Sequence, residues 1–254
     1  MLKNQKSLGQ HWLRDRRLLL EIAQLASGTS DTVLEIGPGL GTLTSALFKN
    51  FKHVIAVEFD KTLAANLPKS FPGKSLEVIH ADFLSYDLAS LPAGYAVAGN
   101  IPYYITSPII QKLLRATNKP SKITLLIQKE VAQRLAAGPG GYSILGLSAQ
   151  VYAEVSLGPI VKRDLFTPPP KVDSQIIIIT PRPAPLASEQ TIALVKLGFV
   201  MPRKKLATNL ATTLQKPRDL ILELLSQIGI SKDARPADLS IDNWKKLEEL
   251  LHKR

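Results

Sequence analysis

Short apolar runs alternate with helical patterns through the first half of the chain, and this alternation limits the possible folds more than any other feature of the sequence. TVLEI (32–36), HVIAV (53–57), LEVIH (76–80), YAVAG (95–99) and KITLLI (122–127) read as strands, each apolar, often β-branched and bounded by turn residues. Helical stretches are expected between them, near 40–50, 61–67, 107–116 and 128–136. Strands joined by helices run parallel, so the pattern predicts an α/β sheet covered on both faces. GPGGYS (138–143) reads as a flexible insert, and 148–161 and 174–180 as two further strands. No long crossover helix separates that last pair, which predicts an antiparallel arrangement. After the stiff PRPAP linker (181–185) the period becomes helical at 187–201, 204–214, 217–228 and 239–251. The boundary is expected near residue 183, between an α/β domain (1–183) and a small all-α domain (184–254).

The 254 residues carry 32 Lys and Arg against 21 Asp and Glu, a net charge of +11. That balance points to a polyanion or an acidic surface as partner. The charge is spread along the chain, so a nucleic-acid surface would draw on both domains. Cysteine is absent, which excludes disulfides, cysteine nucleophiles and cysteine-bound zinc or iron–sulfur clusters. No apolar run reaches the ~18 residues that a membrane span needs. The opening MLKNQKSLGQHWLRDRR lacks the apolar stretch of a secretory signal. A cytoplasmic monomer with no membrane partner is expected. His11, His53, His80 and His252 show no ligand spacing, so no metal is expected.

The first strand opens into Gly37-Pro38-Gly39-Leu40-Gly41 ahead of a helix. Glycines allow a tight turn and a close backbone approach to a ligand, and a helix start offers free N–H groups. The spacing is G-x-G-x-G, whereas dinucleotide sites carry G-x-G-x-x-G, which argues against a nicotinamide dehydrogenase. Glu58, ending the second strand, is placed to accept both hydroxyls of a ribose. Asp82, after the third, is placed to accept from an adenine amino group, and Phe83 to stack on the ring. Taken singly, each acid reads more readily as a solvated strand end. Together, three consecutive strand ends offer what an adenosine needs, at the edge where open α/β sheets bind ligands. A nucleoside cofactor is expected.

The fourth strand runs into Gly99-Asn100-Ile101-Pro102-Tyr103-Tyr104. Asn-Ile-Pro-Tyr at this edge resembles the catalytic loop of S-adenosylmethionine-dependent methyltransferases acting on adenine N6. That nitrogen is a poor nucleophile, because its lone pair is delocalised into the ring. The Asn100 carboxamide oxygen and the Ile101 or Pro102 carbonyl are suited to accept its N–H groups, which favours a pyramidal nitrogen with a localised lone pair. Tyr103 is suited to stack on a base taken out of its helix. Such a site works chiefly by positioning and asks for no strong base.

Several motifs then fall in one order: KSLGQHWL (6–13), LEIGPGLGTLT (34–44), VEFD (57–60), AD (81–82), GNIPYYI (99–105), QKEVAQRL (128–135), FTPPPKVDS (166–174) and FVMPRKKLATNL (199–210). With them the chain resembles, over nearly its whole length, the ribosomal RNA adenine N6-dimethyltransferase family, most of all its small-subunit dimethyladenosine transferases. The resemblance implies a seven-stranded, Rossmann-like class I methyltransferase sheet with its last strand inserted antiparallel, plus a helical RNA-binding C-terminal domain. It implies S-adenosylmethionine as cofactor and S-adenosylhomocysteine as product. The implied substrate is two adjacent adenosines in the 3′-terminal hairpin of small-subunit rRNA, each dimethylated at N6 during assembly of a 30S-type particle. It implies catalytic roles for Asn100, Pro102 and Tyr103, with Phe166 as a second stacking face opposite Tyr103. It adds His11, Leu13 and Asn100 to the cofactor contacts Gly37, Gly39, Glu58, Asp82 and Phe83, and assigns RNA contacts to Arg203, Lys204 and Lys205.

The chain departs from the family in two places. Gln10-His11-Trp12-Leu13 stands where Gln-Asn-Phe-Leu is usual. If the cofactor contact there uses backbone atoms, His11 changes little; if it uses the Asn side chain, His replaces only part of it. Pro202-Arg203-Lys204-Lys205 stands where more arginine is usual. Those three cations sit at a predicted helix start, where they oppose the helix dipole and a phosphate would relieve them. A solvated basic turn is the alternative. The macrolide-resistance methyltransferases of large-subunit rRNA share the Asn-Ile-Pro-Tyr loop, but FTPPPKVDS and LIQKEVAQRL look more like the small-subunit enzymes. A non-catalytic RNA-binding assembly factor on the same fold is the remaining alternative. Against it, every presumed site position other than His11 is intact.

Overall fold

The β-branched runs become one mixed sheet. The computed structural model describes residues 11–28 and 30–253, so Lys6–Gln10 of the first motif lie outside the described residues. The first elements are β1 (Trp12–Leu13), α1 (Arg16–Ala26), β2 (Thr32–Ile36), α2 (Thr42–Leu47), β3 (His53–Glu58), α3 (Lys61–Asn66), β4 (Leu76–His80) and β5 (Ala96–Asn100). Next come α4 (Thr106–Arg115), β6 (Lys122–Gln128), α5 (Lys129–Ala136), α6 (Ile144–Tyr152), β7 (Ala153–Val161), β8 (Phe166–Thr167) and β9 (Ser174–Pro181). Four helices close the chain: α7 (Glu189–Gly198), α8 (Leu206–Leu214), α9 (Arg218–Gln227) and α10 (Ile241–His252).

The seven-stranded sheet has the order β4-β3-β2-β5-β6-β9-β7. Strands β4, β3, β2, β5 and β6 are parallel. Strand β9 runs antiparallel to β6, from Ile123↔Ile179 to Gln128↔Ser174. The chain builds outward from β2 to β4 on one side and from β5 onward on the other. Such a reversal leaves a crevice beyond the carboxyl ends of the central strands. The loops after β2, β3, β4 and β5 therefore open side by side. Ile22, Ala23 and Ala26 of α1 pack with Leu43 and Leu47 of α2 against Val33, Val54, Ala96 and Leu126 of the sheet. Burying each large aliphatic side chain is worth about 1.5–3 kcal/mol.

By its internal contacts the chain divides into two units. One holds the residues up to Gln133 together with Glu154–Pro181; the other holds Arg134–Ala153 with the chain from Arg182 onward. The sequence boundary near 183 assigned residues 134–153 to the sheet domain, and here the structure differs. The Gly140 N–H donates to the Ala237 carbonyl at 2.8 Å, which ties the GPGGYS segment to the helical unit. Leu147 and Val151 of α6 join that unit's core around the fully buried Trp244. The stretch 148–161, expected as one strand, is helical through Tyr152. The Gly146 N–H donates to Ser143 Oγ at 3.0 Å and caps α6, and β7 begins only at Ala153. A short apolar run fits a buried helix and a buried strand equally well, so periodicity alone did not separate them. Helix α1, capped by Asp15, and the two-residue ribbon of β1 with β8 were also not foreseen. No described helix is long and apolar enough to cross a membrane.

Candidate active site

The glycine loop after β2 takes the left-handed backbone that its residue types permit: φ is 65° at Gly37, 56° at Gly39 and 80° at Gly41. A β-carbon on Gly41 would lie 2.7 Å from Leu67 and 2.9 Å from Phe71. One on Gly39 would lie 3.1 Å from the Trp12 indole nitrogen. So the loop is pressed against the turn that follows α3 on one flank and against Trp12 of β1 on the other, and at Gly41 only glycine fits both the angle and the space.

The loop borders a cavity of about 240 Å³ that gathers most of the expected site. His11, Leu13, Gly37, Gly39, Glu58, Asp82, Phe83, Asn100, Pro102 and Tyr103 all line it. Apolar walls come from Ile36, Val57, Phe83 and Ile101. The Glu58 carboxylate accepts from the Gly39 N–H at 3.0 Å and from the Asp60 N–H at 2.8 Å. Those bonds splint the glycine loop to the end of β3 and fix where the carboxylate points. Burial raises the Glu58 pKa, while the backbone N–H donors of Asp60, Gly39 and Phe59 hold it down. The carboxylate keeps acceptor capacity for a hydroxyl. Asp82 is exposed and accepts the Leu84 N–H at 2.9 Å, which orders the turn after β4.

At the other end of the cavity, Asn100 Nδ2 donates to the His11 carbonyl at 2.8 Å. A carbonyl only accepts, so the amide nitrogen must face it, and Asn100 Oδ1 is left as the acceptor. The contact from this side is made by the His11 backbone. The Pro102 carbonyl accepts the Ile105 N–H at 3.3 Å and retains one lone pair. The Tyr103 hydroxyl lies 2.9 Å from Ser174 Oγ, which pins the ring from β9; burial raises its pKa.

Phe166 does not join this site. It pairs with Leu13 in the β1–β8 ribbon, is only 3% exposed, and packs into the apolar core with Leu13 and Ile176. Phe166 does not line the cavity with the other expected residues: an apolar ring on a strand facing the core is worth more buried than open to solvent. The basic triple lies in the helical unit. Arg203, Lys204 and Lys205 are exposed and precede α8, which starts at Leu206, so they form a turn ahead of the helix. Lys205 is ion-paired with Asp233. The histidines hold local structure: His53 bonds Ser75, His80 the Phe59 carbonyl, and His252 lies 2.9 Å from Glu248.

Two site residues escaped the sequence reading. Glu35 of β2 lines the cavity, fully buried, and accepts from Thr44 Oγ1 at 2.6 Å. Burial, with a smaller push from the Glu58 carboxylate, raises its pKa to about 8, against the Thr44 hydrogen bond. The signal was present: one acid inside the apolar run VLEI. Lys112 of α4 donates from Nζ to the Leu84 carbonyl at 2.7 Å and to the Tyr86 carbonyl, and sits 5.5 Å over the Phe83 ring. It clamps the loop that carries Asp82 and Phe83. Nothing local marks a helix lysine for that task.

Comparisons with known proteins agree with this geometry. The family model for ribosomal RNA adenine dimethylase matches residues 1–253. The chain is 38% identical over 255 residues to ribosomal RNA small subunit methyltransferase A of Dehalococcoides mccartyi (strain CBDB1), covering 97% of this chain and 88% of that one. It is 38% identical over 270 residues to the protein of that name from Nostoc sp. (strain PCC 7120), covering 99% of each. Among solved structures it is similar to the 23S rRNA methyltransferase ErmE, with a TM-score of 0.78, 32% identity, and 95% of this chain and 99% of that one covered. It is also similar to a dimethyladenosine transferase from Plasmodium falciparum, with a TM-score of 0.79, 27% identity, and 95% and 97% covered. The loops of four neighbouring parallel strands, the acceptors they carry and a match over the whole described chain lead to one conclusion: the protein belongs to the ribosomal RNA adenine dimethylase family of methyltransferases.

Proposed function

We propose that the protein dimethylates N6 of two adjacent adenosines in the 3′-terminal hairpin of small-subunit rRNA, with S-adenosylmethionine as methyl donor, during assembly of a 30S-type particle in the cytoplasm. The observation that carries this reading is the clamped Asn100, whose Nδ2 is tied to the His11 carbonyl while Oδ1 remains to accept an amine hydrogen. The cavity fits the donor by its chemistry: apolar walls for an adenine, Glu58 for ribose hydroxyls, Asp82 beside Phe83 for the adenine amino edge, and open glycine backbone at Gly37. Bound there, S-adenosylmethionine supplies an electrophilic methyl group. The chain's own residues prepare the nucleophile. Asn100 Oδ1 and the free lone pair of the Pro102 carbonyl accept the two N6 hydrogens and localise the nitrogen lone pair. Tyr103, held by Ser174, stacks on the extruded base. Positioning of this kind supplies most of the rate.

The helical unit contributes phosphate contacts through Arg203 and Lys204, with Lys205 partly neutralised by Asp233. Replacing Arg203 and Lys204 with Ala lowers the slope of log affinity against log salt by about 2 and leaves cofactor affinity unchanged. The likeness to ErmE favours one second reading, an adenine in large-subunit rRNA. The deciding experiment is methyl transfer from labelled S-adenosylmethionine to small subunits lacking the two modifications, with nucleoside analysis of the product. N6,N6-dimethyladenosine in the 3′-terminal hairpin is expected. Label in large subunits instead, with macrolide resistance in cells expressing the protein, would overturn the small-subunit reading.

A further inference from the structure

Three arginines stand where the target end of the cavity meets the first helix. His11, Trp12 and Leu13 line the cavity, and Arg14, Arg16 and Arg17 follow at once. All three are exposed, while α1 packs through Leu19, Ile22, Ala23 and Ala26. Among the described residues none of the three is ion-paired. Other surface cations have a carboxylate: Lys52 pairs with Asp31, Lys162 with Asp173 and Lys205 with Asp233. The acid between the arginines, Asp15, accepts the Leu18 N–H at 3.0 Å and caps α1. Arg16 and Arg17 occupy the first turn of that helix, which holds no acid, and there the helix dipole opposes a cation. Fold stability therefore does not account for three arginines in four positions. Their backbone is fixed all the same: the Arg14 N–H donates to the Leu165 carbonyl at 3.2 Å, at the end of the β1–β8 ribbon.

We infer that Arg14, Arg16 and Arg17 bind phosphates of the rRNA strand that carries the target adenine, so that the α/β unit has a backbone contact of its own. The inference rests on the RNA substrate proposed above. A guanidinium is a planar fork of donors that matches two phosphate oxygens, and it keeps its charge at any working pH. Such contacts set the register of a strand without reading its bases, which is what an aimed Asn100 needs from its substrate. The distance suits the task. Arg14 lies three residues of extended chain beyond His11, about 10 Å, and stacked nucleotides advance by about 3.4 Å each. The phosphates within reach therefore belong to nucleotides about three places or fewer from the target. A phosphate there also removes the conflict between the arginines and the helix dipole.

The test compares two triple variants with the parent. One carries Arg14→Gln, Arg16→Gln and Arg17→Gln. The other carries Lys49→Gln, Lys52→Gln and Lys74→Gln, which removes the same charge from exposed positions ahead of β3 and β4, at the strand ends opposite the cavity. Each is measured for affinity to protein-free RNA of the 3′-terminal hairpin over a salt series, for KM toward small subunits lacking the modifications, for S-adenosylmethionine Kd and for Tm at low salt. The arginine variant is expected to lower the slope of log affinity against log salt by about 2 to 3 and to weaken hairpin binding about 10- to 100-fold at physiological salt. Its cofactor Kd should match the parent, and its Tm should equal or exceed the parent's, since the opposed cations are gone. The lysine variant should change the slope by less than about 1. An arginine variant with the parent's slope overturns the inference, and so does a lysine variant that loses as much, because net charge alone would then be at work. A lower Tm with the slope kept would assign the arginines to the fold and overturn it as well. A kept slope with a raised KM toward particles would give the patch to an acidic protein surface instead of phosphates. A parent that neither binds the hairpin in a salt-dependent way nor methylates small subunits is a separate result, which overturns the RNA substrate and this inference with it.

Discussion

The two ends of the cavity are built differently. At the cofactor end, each group sits on the strand or turn that follows the previous one in sequence. Gly37 and Gly39 follow β2, Glu58 ends β3, and Asp82 and Phe83 follow β4. The bonds that order them are short in sequence: 19 positions from Gly39 to Glu58 and two from Asp82 to Leu84. At the target end, the partners are distant: 89 positions from His11 to Asn100, 71 from Tyr103 to Ser174 and 157 from His11 to Pro168. The proposed nucleoside pocket is thus made by repeating one local unit, strand then turn, along adjacent strands. The proposed target slot is made by tying three remote segments together. On that reading, binding and chemistry are separable by mutation.

Asn100→Ala should separate them most. It removes the aimed acceptor, and kcat is expected to fall roughly 100- to 1,000-fold, while calorimetry finds S-adenosylmethionine affinity near that of the parent. A parallel collapse of affinity would break the division. Glu58→Ala is the converse. It deletes a charged acceptor and the splint of the glycine loop, so cofactor Kd should weaken about 10- to 150-fold, with single-turnover transfer at saturating cofactor much less affected. Lys112→Met tests the clamp behind the adenine wall. Cofactor KM should rise about two- to tenfold with kcat held, and Lys112→Arg should restore it. A loss confined to kcat would place Lys112 with the target end.

The last prediction concerns stability alone. The Glu35 carboxyl has its pKa raised to about 8 in the folded protein, from an ordinary 4.5. A proton held more tightly when folded contributes stability that is complete below pH 4.5 and is lost as the pH rises toward 8. Thermal unfolding of the parent should therefore weaken between pH 5 and pH 8.5 more steeply than that of Glu35→Gln, which has no proton to lose. Parallel curves would mean that Glu35 stays ionised in its pocket.

How much of the site was readable follows the same division. The gathering of Gly37, Gly39, Glu58, Asp82 and Asn100 at one cavity is legible because a parallel strand order turns sequence position directly into position along one sheet edge. Glu35 was readable in principle, since one acid inside an apolar run is a local signal. Lys112 was not, because its carbonyl partners lie 26 and 28 positions away on another element. The core position of Phe166 and the helical state of α6 are not legible in the sequence for a common reason: an apolar residue declares that it will be buried but not against what.

The strand–helix alternation, the glycine turn, the acids at the strand ends and the methyltransferase family follow from residue order alone, because each depends on neighbours within a few positions. Tertiary structure alone decided that residues 134–153 belong with the helical unit, that Phe166 faces the core, and that the His11 ring stands beside Tyr103. Those outcomes depend on which remote surfaces meet. Packing selects among them by buried area and by satisfied hydrogen bonds, and neither quantity is written in any one stretch of the chain.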